Sequence, residues 1–442
     1  MNAQVYVRSV VRAEQPRYAV VLLGLLTLAM VFSFLDRVIL GLLIKPIRSD
    51  LTLTDTQFSL LFGLVFAGPY VVASLISGRL ADRFRRLSVL RGAILLWSAS
   101  TMLCMMATSF RHLAAARLCV ALGEAALLPC AWSLLADCFA PRQLGRAYSI
   151  MIMGANLGTG IALIFGGALY EAIAAMPLYH LPLIGAIKPW QMTFLVVGAP
   201  GAVLALIIGA FPEPPRRGIG PKDEPTGVRE ALGSFARQWQ AYLALVVGFA
   251  LSTMSLQTAQ IFGVQHFVRT YGMSLAEAGL RIGVPVAVLG SCGLWIGGWL
   301  NDYWKAKGRS DAAFLVGTVS AIGLLTGTMI AMLTRNLLLA QSALLMLGLF
   351  SNFPFGAVAS GMMSITPQRR RGTITALYTL FATLFGAGMS PLLTALLTDR
   401  VFASEQSVGH SVAIVSTFSS LVAILLFLWG RPYLRRAALA AT

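Results

Sequence analysis

Apolar stretches of about 20 residues, each long enough to cross a hydrocarbon layer of ~30 Å, recur twelve times along this chain. They fall at 18–44, 55–79, 87–108, 111–136, 143–169, 191–211, 239–268, 275–300, 311–333, 336–362, 371–397 and 408–430. Lipid offers no partner for a backbone N–H or C=O, so such segments close their hydrogen bonds internally, as helices. The chain therefore reads as an all-α integral membrane protein with twelve transmembrane helices. Charged residues make up only 12% of it, against roughly 25% in a soluble domain. No segment between the stretches is long enough to form a soluble domain.

The net charge of +17 would suit nucleic acid if it formed a patch, but it is spread over alternate loops. With Met1 in the cytoplasm, most Lys and Arg residues fall on the side of the termini: Arg79, Arg83, Arg85 and Arg86 after the second stretch, Arg142 and Arg146 before the fifth, Arg369 to Arg371 before the eleventh. Basic residues in short loops stay cytoplasmic. Both termini are thus expected in the cytoplasm, with the chain in a plasma or inner membrane and no nucleic-acid partner. The first stretch is too long for a cleaved signal and leads into Asp36, Arg37 and a second span, so it reads as an uncleaved anchor. The five cysteines show no CxxC pair and lie in or at the ends of spans, as buried hydrophobes do. No metal, cofactor or ATP-binding motif is readable, nor a nucleophile–base arrangement, so an enzyme is not expected.

Two halves repeat. Gly78-Arg79-Leu80-Ala81-Asp82-Arg83 ends the second span and Gly298-Trp299-Leu300-Asn301-Asp302-Tyr303 ends the eighth. Thr54-x-x-Gln57 and Ser274-x-x-Glu277 open the same two spans as capping boxes. The organisation expected is an N-terminal six-helix bundle over 1–211, a Pro- and Gly-rich cytoplasmic linker over 212–238 and a C-terminal six-helix bundle over 239–442, the two in parallel orientation.

The halves differ in chemistry. Asp36, Arg37, Arg117 and Glu124 all lie within spans of the first half. A charge at membrane depth costs at least ~3 kcal/mol and usually faces a water-filled cavity. Arg117 and Glu124 share one helix face about 10 Å apart, too far for a direct salt bridge, though a residue from another helix or a substrate spans that gap. Adjacent Asp36 and Arg37 point about 100° apart, so one of them faces the cavity more fully. Arginine stays charged and suits phosphate or carboxylate, which makes Arg37 and Arg117 anion-binding candidates. Glu124 is favoured as proton carrier because Gly123 leaves space beside it, and Asp36 is the alternative. The competing reading is a purely structural charge network between helices one and four. In the second half Gln257, Gln260, Asn352 and Tyr378 either hydrogen-bond substrate or hold helices together. Arg281 reads as snorkelling to the interface.

Twelve spans in two parallel repeats, with Gly78-x-Leu80-Ala81-Asp82-Arg83-x-x-Arg86 and its weaker copy, resemble the major facilitator superfamily along the whole chain. Within it, Leu35-Asp36-Arg37, Leu53-x-Asp55-Thr56-Gln57, Arg117 with Gly123-Glu124-Ala125, and the Gly154, Gly158, Gly166-Gly167 run resemble the spinster branch. Departures are Ala121, Trp190-Gln191 and a Pro- and Leu-rich insertion at Tyr170–Pro189. The resemblance implies a secondary active transporter working by alternating access, proton-coupled, carrying lysophospholipids or phosphorylated sphingoid bases. Small organic anions such as sugar acids, or lipophilic drugs, are the alternatives. It also implies a conformational latch at Gly78, Asp82, Arg83, Arg86 and Asp302, in which Asp82 meets the positive end of helix eleven near Arg371-Gly372-Thr373. Partners are then the substrate, protons and the bilayer, and a monomer is expected.

Overall fold

The computed structural model describes residues 3–177, 179–181, 185–216, 238–366 and 378–441. It has twelve helical spans: Arg17–Leu42, Asp55–Arg83, Arg86–Met106, Phe110–Cys138, Gln143–Ala174, Pro189–Ala210, Trp239–Tyr271, Leu275–Ala306, Ala312–Leu333, Leu337–Met362, Tyr378–Val401 and Glu405–Ala437. Several run past the expected ends. The fifth continues through Glu171, the eighth through Asp302 and Lys305, and the twelfth through Arg431 and Arg435. Hydropathy falls at those charges, but a helix end needs a cap or a breaker rather than a charge. Residues 371–377 of the expected eleventh span, with Arg371-Gly372-Thr373, lie outside the described residues, as does most of the linker.

The apolar surface matches the composition. Leu338, Trp295, Phe418 and Leu425 are among the large hydrophobic side chains left exposed, as expected where lipid is the surrounding medium. One addition to the helical plan is a small hairpin in the Tyr170–Pro189 insertion. Strands β1 (Tyr179–Leu181) and β2 (Gly185–Ile187) pair antiparallel, with His180 opposite Ala186. Three-residue strands are too short to show a period-2 pattern in sequence.

The capping motifs divide. Thr54 and Gln57 form the full reciprocal box at the start of the second span. Ser274 accepts from the Glu277 N–H, but the Glu277 carboxylate takes both Nε and Nη2 of Arg281 instead of reaching back. Arg281 is therefore ion-paired within its own helix.

The three apolar cores divide unevenly. One, built on Trp97, Leu134 and Met151, belongs to the first half, and one, built on Tyr242, Phe249, Phe314 and Phe427, belongs to the second. The third crosses between the halves, joining Ile39, Leu42, Phe58 and Leu163 to Phe262, Phe267, Leu275 and Ile282. It lies toward the end where spans one, five and seven finish and spans two, eight and twelve begin. Polar contacts between the halves gather at that same end. Asp55 takes Arg48 Nη1 at 2.6 Å and Arg269 at 3.2 Å, while Arg48 Nη2 reaches Glu405 at 3.1 Å. Asp399 accepts both the N–H and the hydroxyl of Thr56 at 2.7 Å, capping the second span from across the interface. Glu171 does likewise for the eighth span through the Ala276 N–H at 2.9 Å. Carboxylates at helix N-termini are the favourable arrangement. Spans five and eight meet closely because Gly279 carries no Cβ; one built there would lie 2.1 Å from the Leu163 carbonyl oxygen. The molecule is sealed at this end. At the arginine-rich end nothing among the described residues lies within 4 Å of a Cβ built on Gly78.

Candidate functional site

The first and fourth spans bring the four membrane-depth charges together. Arg37 Nε donates to Glu124 Oε2 at 2.5 Å. Arg37 lies on the first span and Glu124 closes the helix Phe110–Glu124, where the fourth span breaks before resuming at Leu127. Asp36 points away, toward the third span, and accepts from the Thr101 hydroxyl at 3.0 Å. Adjacent residues thus take different faces, and Arg37 is the one that lines the cavity. Arg117 reaches the Asp36 carbonyl oxygen with Nη1 at 3.4 Å, while its Nε is buried without a partner among the described residues. The second carboxylate oxygen of Glu124, Oε1, is likewise buried and unpartnered.

Expected space beside Glu124 is not found. A Cβ at Gly123 would lie 2.7 Å from the Ala93 carbonyl oxygen and 2.8 Å from the Trp97 nitrogen. The third span fills that position, so the glycine serves close packing rather than access.

Aromatic rings surround the arginines. The Arg37 guanidinium carbon lies 4.9 Å from the Phe34 ring, 4.8 Å from Phe66 and 4.9 Å from Tyr70, and Arg117 lies 5.3 Å from Phe66. The negative face of a ring stabilises a cation, more strongly where water is excluded. Sequence reading passed over Phe34, Phe66, Tyr70 and Thr101. The i, i+3 and i, i+4 spacings Phe34–Arg37 and Phe66–Tyr70 are visible in the sequence, but nothing there says which helix faces which.

The cavity lies between the halves and takes in about 730 Å³ of space, solvent at its open mouth included. Arg37, Arg117 and Thr159 supply polarity from the first half, Gln257 and Gln260 from the second; Phe34, Phe66, Leu163, Ile261 and Val264 are among the apolar lining. Two other polar candidates fall elsewhere. Asn352 sits at the break in the tenth span, donating to Ser351 Oγ at 3.2 Å against Gly290, and Tyr378 packs on the core of the second half. Neither lines this cavity.

The latch residues lie at the arginine-rich end. Asp82 and Arg83 are exposed, and so is Asp302, whose Oδ1 accepts from Asn301 at 3.3 Å. Asp82's expected partner near Arg371 is outside the described residues. Arg86 behaves differently: it is buried, and Asp137, Glu213 at 2.9 Å and the Ser133 hydroxyl at 3.0 Å hold it. Glu213 also accepts the N–H groups of Arg86 and Leu87, and Arg216 donates to the carbonyls of Ala81, Asp82 and Phe84. One short segment after the sixth span thus caps the end of the second span and the start of the third with charges of the favourable sign.

Twelve spans in two halves around a charged central cavity, sealed at one end, define a membrane transporter rather than an enzyme. The family model described as Major Facilitator Superfamily matches residues 26–391, and the chain belongs to that superfamily. It is 25% identical over 430 residues to an "MFS-type efflux pump" of Mycolicibacterium smegmatis, covering 95% of this chain and 94% of that one. It is 25% identical over 410 residues to the "Sphingosine-1-phosphate transporter SPNS2" of Danio rerio, covering 87% and 77%. Its fold matches the crystal structure of a bacterial homolog to the human lysosomal transporter Spinster in an inward-facing, unoccupied conformation, with TM-score 0.77, 24% identity and coverage of 95% and 97%. Among its superfamily this transporter resembles the spinster branch.

Proposed function

We propose that this transporter moves an amphipathic anion, such as a lysophospholipid or a phosphorylated sphingoid base, by proton-coupled alternating access. One observation carries the reading: Arg117, buried in the cavity wall with an unpartnered Nε, faces a space whose other lining is largely apolar. A buried guanidinium with an open donor suits a phosphate or carboxylate, and the apolar remainder suits a tail. Arg37 adds a second positive charge. Glu124 serves as proton carrier: protonation releases Arg37 from its pair, and binding of an anion to Arg37 favours the same release. Asp36, held by Thr101, is the alternative carrier. The positive-inside bias puts the sealed end outside, both termini inside, and makes this arrangement inward-facing. The likeness to the fish sphingosine-1-phosphate transporter supports the substrate class.

A second reading is a small hydroxylated anion such as a sugar acid. It rests on Gln257, Gln260 and Thr159, which offer hydrogen bonds on the cavity wall opposite or beside the arginines. The test is proteoliposome transport of a labelled lysophospholipid and of a labelled sugar acid, with and without an imposed proton gradient, in wild type, Arg117→Ala and Glu124→Gln. Lysolipid movement that needs Arg117 and loses its gradient response in Glu124→Gln is the expected result. Lysolipid movement unaffected by Arg117→Ala would sink the head-group assignment, and sugar-acid movement alone would favour the second reading.

A further inference from the structure

Phe66 is shared by the two cavity arginines, with its ring 4.8 Å from the Arg37 guanidinium and 5.3 Å from that of Arg117. The two cations depend on it unequally. Arg37 is also held by Phe34, Tyr70 and the Glu124 carboxylate. Arg117 has Phe66 as its one ring contact among the described residues, a long bond to the Asp36 carbonyl, and an Nε with no partner. Two like charges in one poorly solvated wall repel, and a ring face that attracts both offsets part of that repulsion.

The ring's own position is set from the other half. The second span breaks at Gly63 and resumes at Leu64. A Cβ on Gly63 would lie 2.6 Å from the Gly388 carbonyl oxygen, and Ala67, next to Phe66, lies 3.6 Å from a Cβ built on Gly388. Gly388 belongs to the π-helical stretch Thr383–Met389 of the eleventh span, a local widening common at functional positions. The helix segment carrying Phe66 is thus registered against the second half.

We infer that Phe66 is the positioning residue that holds Arg117 in its anion-binding pose and ties that pose to the contact between spans two and eleven. When the halves shift at Gly63 and Gly388, the ring moves and the arginine loses its support, so anion affinity changes with the state of the transporter. This rests on the reading of Arg117 as head-group ligand.

The test compares wild type, Arg117→Ala, Phe66→Met and Phe66→Tyr, using binding of a fluorescent lysophosphatidylglycerol in nanodiscs and proton-driven uptake of the same lipid in proteoliposomes. Methionine nearly keeps the volume and removes the π face; tyrosine keeps both. Phe66→Met is expected to raise KM roughly tenfold, as for loss of one desolvated cation–π contact, with maximal rate little changed and Phe66→Tyr restoring affinity. In the Arg117→Ala background Phe66→Met should add no further loss. Wild-type affinity in Phe66→Met, alongside lost binding in Arg117→Ala, overturns the inference and leaves the substrate reading standing. Equal losses in Phe66→Met and Phe66→Tyr make packing the cause and also overturn it. Full lysolipid binding by Arg117→Ala removes the substrate reading and this inference with it. If Phe66→Met does not fold, pentafluorophenylalanine at position 66 keeps the ring's shape and reverses its quadrupole, and the same outcomes apply.

Discussion

Arg37 Nε and Glu124 Oε2, on the first and fourth spans, lie 2.5 Å apart, while Glu124 Oε1 is buried with no partner. The pair is therefore half-satisfied: one oxygen holds the arginine and the other has no hydrogen-bond partner among the described residues.

Removing one member of such a pair leaves a buried, uncompensated charge, at a cost of about 3 kcal/mol or more. Arg37→Ala should therefore lower the melting temperature of the detergent-purified transporter well beyond Glu124→Gln, since the amide still accepts from Arg37. Adding Glu124→Gln to Arg37→Ala should restore much of the loss. A double-mutant cycle read by thermal melting with purely additive effects would show that the pair is not energetically coupled.

The sealed end depends on Asp55, whose buried carboxylate joins Arg48 of its own half to Arg269 of the other. Asparagine keeps the shape and removes the charge that both arginines face. In Asp55→Asn, spin labels at exposed Arg111 and Arg335, one on each half at this end, should show a new population at longer separation. A distance distribution unchanged from wild type would mean that the apolar core between the halves holds this end shut unaided.

How much of this was legible in sequence follows from the physics of each element. Twelve spans were readable because lipid imposes length and apolarity on each of them. Asp36, Arg37, Arg117 and Glu124 stood out because charge is costly at that depth. What periodicity does not encode is which helix faces which. Hence the aromatic sleeve of Phe34, Phe66 and Tyr70 went unread, and Asn352 and Tyr378, polar and at plausible depth, turned out to lie off the cavity. Arg86 carried a recognisable motif, but its partner Glu213 lies 127 residues away in sequence, a pairing that only the fold reveals.

At the arginine-rich end, Asp311 precedes the ninth span and is fully buried against Arg431 and Arg435 at 2.7 and 3.0 Å. Burial alone would raise its carboxyl, but the hydrogen bonds from Arg435 and Arg431 outweigh that and hold it below the usual carboxylate range. A depressed folded-state pKa means stabilisation that is complete at neutral pH and lost as pH falls from about 4 through the folded value. Asp311→Asn should lower the melting temperature at pH 7 and flatten its decline between pH 5 and the acid limit. A mutant whose melting tracks wild type at every pH would show that the twelfth span is held there by packing alone.

The eighth span supplies its own control for how the seal is built. At Gly279 an added methyl would sit 2.1 Å from the Leu163 carbonyl oxygen, a backbone atom that cannot rotate away, whereas at Gly298 nothing among the described residues lies within 4 Å. Both glycines are helical, so alanine improves local helix propensity equally at each, by roughly 1 kcal/mol. The packing consequence differs completely. Gly279→Ala must push spans five and eight apart where the halves meet, and in lipid no hydrophobic force between helices draws them back together. It should lower the melting temperature and lengthen the Arg111–Arg335 label distance, while Gly298→Ala leaves the distance unchanged and raises the melting temperature slightly. Equal behaviour of the two variants would mean that close approach of these helices does not maintain the sealed end.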